Sequence, residues 1–398
     1  MTGPLESVRI VDLCSVVSGP LAMATLADQG ADVIKVEALG GDVTRQQRAE
    51  SPGFSAGFVA CNRGKRSIAI DLKQEAGKAV LWRLIEGADV FAQNFRPGAV
   101  DRLGFGYEAA SARNEKLVYL SISGVGPTGP YAKKRVYDPI VQALAGVSDI
   151  QADPVTGRPK MMRTIVADKT TAIFAAQATT AALLAAGRTG KGQHVEVSML
   201  DVMLSFIWPE GMTPFAIVDE GKTEAKAAAH DMIFQTRDGY VTFGAVSNAE
   251  WRGLCEAIGR EEWIEDPRFA TNAARSANRQ ERMECVESAL GDISSEDLLL
   301  KLEAADVPCM PVLSRYEMLS DPQVINNQAV HVVHQPGLGD IRQARAAARF
   351  DVTPAHLPRP APALGQHIVE VLGEAGFNDN EINDLLAEGI VATGPKGD

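Results

Sequence analysis

A chain of 398 residues with 45% hydrophobic side chains holds enough apolar material for a large core, and typical domains of about 100–200 residues suggest two of them. Its 39 Lys and Arg against 51 Asp and Glu give a net charge of -12, a field that repels nucleic acid, so a phosphorylated ligand has to be held by local cations. The 5 cysteines are scattered without a C-x-x-C pair, which argues against a zinc or dithiol motif, and residues 1–10 lack the basic start and apolar run of an export signal, so a cytoplasmic location is expected.

In chain order, apolar runs at 8–13, 32–37, 67–72, 89–95 and 116–123 read as strands, and 20–29 and 74–86 read as helices. Buried strands alternating with helices mark a parallel sheet covered on both faces, so the expected fold class is α/β with a doubly wound large domain. A small-residue stretch at 172–187, interrupted by Gln177, is shorter than the roughly 20 residues that cross a bilayer; it reads as a buried helix with no membrane partner. A sixth strand pattern runs over 191–200. Composition then shifts at 212–229, where Pro214 and Gly221 suggest a linker. A hairpin around Asp238-Gly239 and helical patterns at 249–258, 279–290 and 296–305 form a smaller α/β domain. Short β-like pieces mixed with prolines over 331–362 fit a second linker, before a helix at 364–374 and a last one started by Asn378 with Glu381 as a capping box and ending near Gly389. The expected division is a large domain over 1–205, a linker at 206–228, a small domain at 229–320, a linker at 321–362, and helices at 363–398 that return to the large domain.

Gly124-Val125-Gly126-Pro127-Thr128-Gly129 matches the dinucleotide fingerprint G-x-G-x-x-G after a strand. Pro127 removes an N–H where a pyrophosphate needs donors, and Lys133-Lys134-Arg135 follow instead of an apolar helix, so the turn reads as an ordinary glycine-rich one. Asp168, in Val166-Ala167-Asp168-Lys169 before the small-residue helix, has two compatible readings: an N-cap, or a carboxylate nucleophile whose charge the helix end stabilises.

The order and spacing of several further pieces carry a resemblance. They are Val11-Asp12-Leu13 with Ser18-Gly19-Pro20, Gly30 through Glu37, Asn62 through Ile68, and Asn94-Phe95-Arg96-Pro97-Gly98 before Leu103-Gly104. The aspartate segment, Gly192-Gln193 and the tail from Leu364-Gly365 to Val391 complete the set. Together they resemble the family III CoA transferases of the CaiB/BaiF type, which include formyl-CoA transferase, over nearly the whole chain. The resemblance implies Asp168 as the catalytic nucleophile, working through an aspartyl anhydride and an aspartyl-CoA thioester. CoA and acyl-CoA are then substrates, with no prosthetic group, and a small carboxylic acid is the partner substrate. It implies two chains interlaced as a homodimer. It places Arg66, Lys73, Arg102 and Arg135 as cationic CoA contacts, with Val16, Ile70, Asn94, Phe95 and Tyr137 along the CoA path. Val17 and Asp138 fall beside the reacting acid.

Departures narrow the reading. Val17 stands where formyl-CoA transferases carry a glutamine and Ala38 where they carry an arginine, which argues against formate and oxalate and suits a larger acyl chain. A 2-methylacyl-CoA racemase of the same fold is the main alternative, yet such relatives carry a histidine where this chain has Tyr137, and a phenol of pKa about 10 is a poor base at neutral pH. A CoA-ester-binding protein without turnover is a second alternative. His331 and His334 lack the carboxylate or cysteine company of a metal site, and none is expected.

Overall fold

The computed structural model describes residues 3–153, 155–218, 231–355 and 359–394. The chain divides into two compact units, Met1–Ala227 with Ala329–Asp398, and Ala228–Gln328. The first unit opens with strand β1 (Arg9–Asp12), helix α1 (Ser18–Asp28), β2 (Asp32–Glu37), α2 (Ala56–Asn62), β3 (Arg66–Ala69), α3 (Glu75–Glu86) and β4 (Val90–Gln93). Helices α4 (Ala99–Leu103) and α5 (Tyr107–Arg113), strand β5 (Val118–Ser123), helices α6 (Asp138–Leu144), α7 (Val147–Ile150) and α8 (Val166–Thr189), strand β6 (Gln193–Ser198) and α9 (Met199–Gly211) follow.

The six strands form one parallel sheet in the order β3-β2-β1-β4-β5-β6. Successive residues supply opposite cores: Ile10 and Val33 pack with α1 and α8 on one face, Val11 and Ile34 with α3 on the other. That two-sided burial is why the strands read as unbroken apolar runs. Strand order reverses between β1 and β4, so the loops after their carboxyl ends diverge and leave a crevice, the usual ligand site of an open α/β sheet.

The second unit pairs β7 (Phe234–Gln235), β8 (Tyr240–Phe243) and β9 (Cys309–Pro311) in an antiparallel sheet. Against it lie α10 (Asn248–Ala257), α11 (Asn272–Ala277), α12 (Arg279–Leu290) and α13 (Ser295–Ala304), around Trp251, Phe269 and Leu298.

Three expectations change. The helix expected from 172 starts at Val166, and only one face of it is buried, a stripe of small residues from Ala167 to Ala182; Ile173, Phe174 and Leu184 are exposed. By length and composition alone it is apolar enough to cross a membrane, although it packs on α1 and the sheet. The linker expected at 206–228 begins inside α9, and its residues 219–228 lie outside the described residues, as do His230 and His356. The second linker is more than a surface crossing: 321–362 holds α14 (Pro322–Asn326), and its β-like pieces pair as an antiparallel hairpin, β10 (Val330–Gln335) with β11 (Gly339–Ala344), whose Leu338 and Ile341 pack against Phe58 of α2.

The C-terminal pair, α15 (Ile368–Glu374) and α16 (Asp379–Ala387), covers the α3 face of the sheet. Asn378 and Glu381 form the expected capping box.

Candidate active site

The loop from β1 to α1 is shaped by buried charge. Asp12 and Lys35, register partners on β1 and β2, are both fully buried at the carboxyl end of the sheet. Lys35 donates to the Cys14 carbonyl at 3.1 Å and to Asp42 at 3.0 Å, while Lys65 donates to Asp12 at 2.8 Å. Burial opposes ionisation of Asp42, yet Lys35 and the Thr44 hydrogen bonds hold its carboxyl below the ordinary carboxylate range. Asp42 in turn accepts the Val16 N–H at 3.3 Å. Val16 has φ 71°, a left-handed conformation costly for a β-branched residue, of the kind held where the surroundings over-determine it. Asn94, just past β4, accepts from the Ser15 N–H at 2.9 Å and donates to the Ser15 carbonyl at 2.7 Å, tying the loops on either side of the crevice together. Gly19 is required here, because a Cβ would lie 2.5 Å from the Cys14 side chain.

Across this loop stands Asp168. It is the third residue of α8, whose N-cap is Ile165, so it is not itself the cap. Its own N–H donates to Asp138 at 3.1 Å. The hydroxyl and backbone N–H of Ser18, the first residue of α1, face its carboxylate and favour its charged form. Asp168 thus sits at the positive ends of two helices. Burial nevertheless pushes its pKa up, the neighbouring Asp138 charge pushes further, and the Ser18 bonds only partly offset them, leaving a value of about 6.

A solvent-open cleft of ≈ 990 Å³ joins these parts. Of the expected site residues it gathers Val16, Val17, Asn94, Phe95, Arg135, Tyr137 and Asp168. Asp138 lies beneath it, 2% exposed, accepting from Gln142 and from the Asp168 N–H. The glycine turn contributes Gly124, Val125 and Gly126 to the wall. Among the described residues Asp168 is the only acid in that lining, which it shares with Arg96, Lys134 and Arg135. Such a cleft can bind a polyanion beside a carboxylate of raised basicity, in a protein whose overall field is negative.

Four expected contacts lie outside the cleft lining, two of them buried. Arg66 is 4% exposed, and its guanidinium is spent on Asp32, Glu370 and Glu374 at 2.6–3.0 Å, so it pins α15 to the sheet instead of meeting phosphate. Ile70 is 1% exposed in the core and bridges Val391. Lys73, in the turn before α3, and Arg102, on α4, are exposed and outside the cleft lining.

The model of CoA-transferase family III matches residues 5–368. The chain belongs to CoA-transferase family III. Among curated relatives, this transferase is 36% identical to succinate–glutarate CoA-transferase of Agrobacterium fabrum, over 93% of this chain and 95% of the relative. It is 32% identical to formyl-CoA:oxalate CoA-transferase of Streptomyces avermitilis, over 98% and 100%. A CAIB/BAIF family protein from Brucella suis has a similar crystal structure, with TM-score 0.82 and 33% identity over 94% of this chain and 100% of that one. The transferase is therefore an enzyme that transfers CoA.

Sequence reasoning missed Ser18, Arg96 and Lys134 as cleft residues. Ser18 and Arg96 lie inside the motifs that carry the resemblance, so position alone could have raised them; Lys134 was masked by its neighbours in a run of cations. Asp138→Asn removes the charge that helps hold the Asp168 pKa up, while keeping an oxygen to accept the Asp168 N–H. The acid limb of kcat/KM is expected to move to lower pH, measured from pH 4.5 to 8. An unmoved limb would show that Asp138 does not act on Asp168.

Proposed function

We propose that this enzyme passes CoA between an acyl-CoA and a free carboxylic acid through covalent intermediates on Asp168. The observation that carries the reading is a half-buried carboxylate, its pKa lifted to about 6, in a cleft that also carries Arg96, Lys134 and Arg135. Such a group is ionised at neutral pH yet more basic than an ordinary aspartate, and so a better nucleophile. Asp168 attacks the donor thioester carbonyl, the C–S bond breaks, and CoA thiolate leaves behind a mixed anhydride. The thiolate attacks the Asp168 carbonyl carbon and expels the donor acid, giving an aspartyl-CoA thioester. The acceptor carboxylate displaces the thiolate to form a second anhydride, and thiolate attack on the acceptor carbonyl releases the new acyl-CoA and the Asp168 carboxylate. No step consumes a proton, so no histidine or phenol is needed as acid or base.

Arg96, Lys134 and Arg135 suit the CoA phosphates, with Lys73 and Arg102 as candidates for its outer end. Val17 in place of a polar residue supports acids larger than formate or oxalate, and relatives named for succinate, glutarate and citramalate support dicarboxylic acids. Two chains are further proposed to interlace as a homodimer, which would cover Ile173, Phe174 and Leu184 on α8 and Phe206 and Trp208 on α9. Sedimentation at a monomer mass would remove that proposal.

Hydroxylamine added with a turning-over acyl-CoA is expected to convert Asp168 to a hydroxamate, seen by mass on its peptide, with loss of activity. Turnover without the adduct would refute the covalent route. A 2-methylacyl-CoA that gains α-deuterium in heavy water while no acid accepts CoA would favour the isomerase instead.

A further inference from the structure

Beside the cleft lies a second, partly solvent-open chamber within the same unit, for which the reaction described so far has no use. The two share Val17, and the second is also lined by Ile165 and Lys169, which flank Asp168 on α8. Its walls are the α1 face carrying Val17 and Leu21, the inner side of α2, and the β10–β11 hairpin. They are mostly apolar, with two unusual features.

The first is Gln343. It shares the inward face of β11 with Ile341, two residues away, and its amide nitrogen is shielded from solvent without a hydrogen-bond partner among the described residues. A buried donor left unmade is costly unless something else satisfies it. The second is charge. Four cations and one acid line the chamber; the acid, Glu50, is engaged by the Ala56 N–H, and Arg63 is paired with Asp28. Lys169, which donates to the Thr164 hydroxyl, and Arg342, on the outer face of β11, have no acid partner among the described residues. An apolar chamber that meets the cleft at Val17 and is lined by a side chain whose amide donor is unmade, in a positive field, fits a short carbon chain with an anionic oxygen at its far end.

We propose that the acyl chain runs from Asp168 over Val17 into this chamber, and that Gln343 hydrogen-bonds the second carboxylate of a dicarboxylic substrate there. The proposal rests on Asp168 being the nucleophile. It makes Val17 the threshold between the CoA side and the acid side, and Gln343 a specificity residue that touches the substrate remote from the reacting bond. Lys169 and Arg342 contribute attraction without a fixed geometry.

The test compares glutarate with pentanoate, acceptors of equal chain length, against one fixed acyl-CoA donor, so that effects on the donor cancel in the ratio of kcat/KM values. The wild type is expected to favour glutarate. Gln343→Leu is expected to lower that ratio about 10-fold or more, mainly through the KM of the diacid, as for loss of a hydrogen bond to a charged group. Gln343→Glu, which keeps the size and adds a repelling charge, should lower it further, and it serves where the leucine variant folds poorly. A ratio unchanged in both variants overturns the proposal. So does a wild type that uses pentanoate as readily as glutarate, an outcome that leaves the Asp168 reading intact, whereas transfer to no acid at all would sink both. A fall in sedimenting mass with an unchanged ratio would mean that a second copy of this chain fills the chamber, which also overturns it.

Discussion

Asp168→Asn is expected to abolish CoA transfer and, at neutral pH, to make the protein more stable. The loss follows from removing the nucleophile; a fall of about 10⁴-fold or more in kcat is the scale for such a deletion. The gain follows from the pKa of about 6, raised first by burial and then by Asp138. Folding raises the proton affinity of Asp168, so the stability linked to its protonation is full below about pH 4 and is lost as pH rises through 6. Above that window the folded wild type carries an ionised, half-buried carboxylate that asparagine lacks. With a discount for solvent screening, the variant should be more stable by about 1–2 kcal/mol at pH 8, with the difference shrinking toward pH 4. Asparagine keeps an oxygen for the Ser18 hydroxyl and N–H, so those bonds need not be broken. Urea midpoints and turnover measured at both ends of the range decide the matter: a pH-independent difference would deny the strained carboxylate, and retained turnover would deny the nucleophile.

The parts of this molecule that were legible in the sequence are those set by local pattern. Strands buried on both faces announce themselves as apolar runs, and the Asn378 and Glu381 box fixes a helix start within four residues. What could not be read depends on partners far along the chain. Arg66 looks like any other motif cation until Glu370 and Glu374, more than 300 residues later, occupy its guanidinium. Asp168 looks like a cap because Asp favours that position, but α8 starts two residues earlier, where Val166 and Ala167 pack against Val141 and Met199. At 330–344 the β-like pieces were legible but their pairing as a hairpin was not, because the half-exposed alternation includes histidines, a glutamine and an arginine where a buried strand would show valines. Val17 and Gln343 line one chamber only because α1, α2 and the hairpin converge.

Lys35→Met is the change expected to damage the fold most. Lys35 has no exposed side-chain surface, and its Nζ supplies the 3.0 Å partner of Asp42 and a bond to the Cys14 carbonyl. Burial pushes its pKa down, but Asp12, Asp42 and Glu37 more than offset this and hold it above the ordinary lysine value. Methionine fills a similar volume but leaves those carboxylates short of a positive charge where water cannot replace it. Removing one partner of a buried ion pair costs about 3–5 kcal/mol, far more than the pair adds relative to an apolar substitute. The damage should reach catalysis through a defined route. Asp42 accepts the N–H of Val16, which sits at φ 71°, and the strained turn at Val16 sets where Ser18 meets Asp168. Release of that turn by even about 1 Å is enough to cost on the order of 10²-fold in rate. Adding Asp42→Asn to Lys35→Met removes one stranded charge while keeping an acceptor for Val16, so the double variant should recover part of the lost stability and the two changes should couple by about 1 kcal/mol or more. Urea unfolding of the four proteins at pH 7, with kcat beside it, tests this; a Lys35→Met cost below about 1 kcal/mol, or strictly additive effects, would mean that the buried charges do not hold the loop in place.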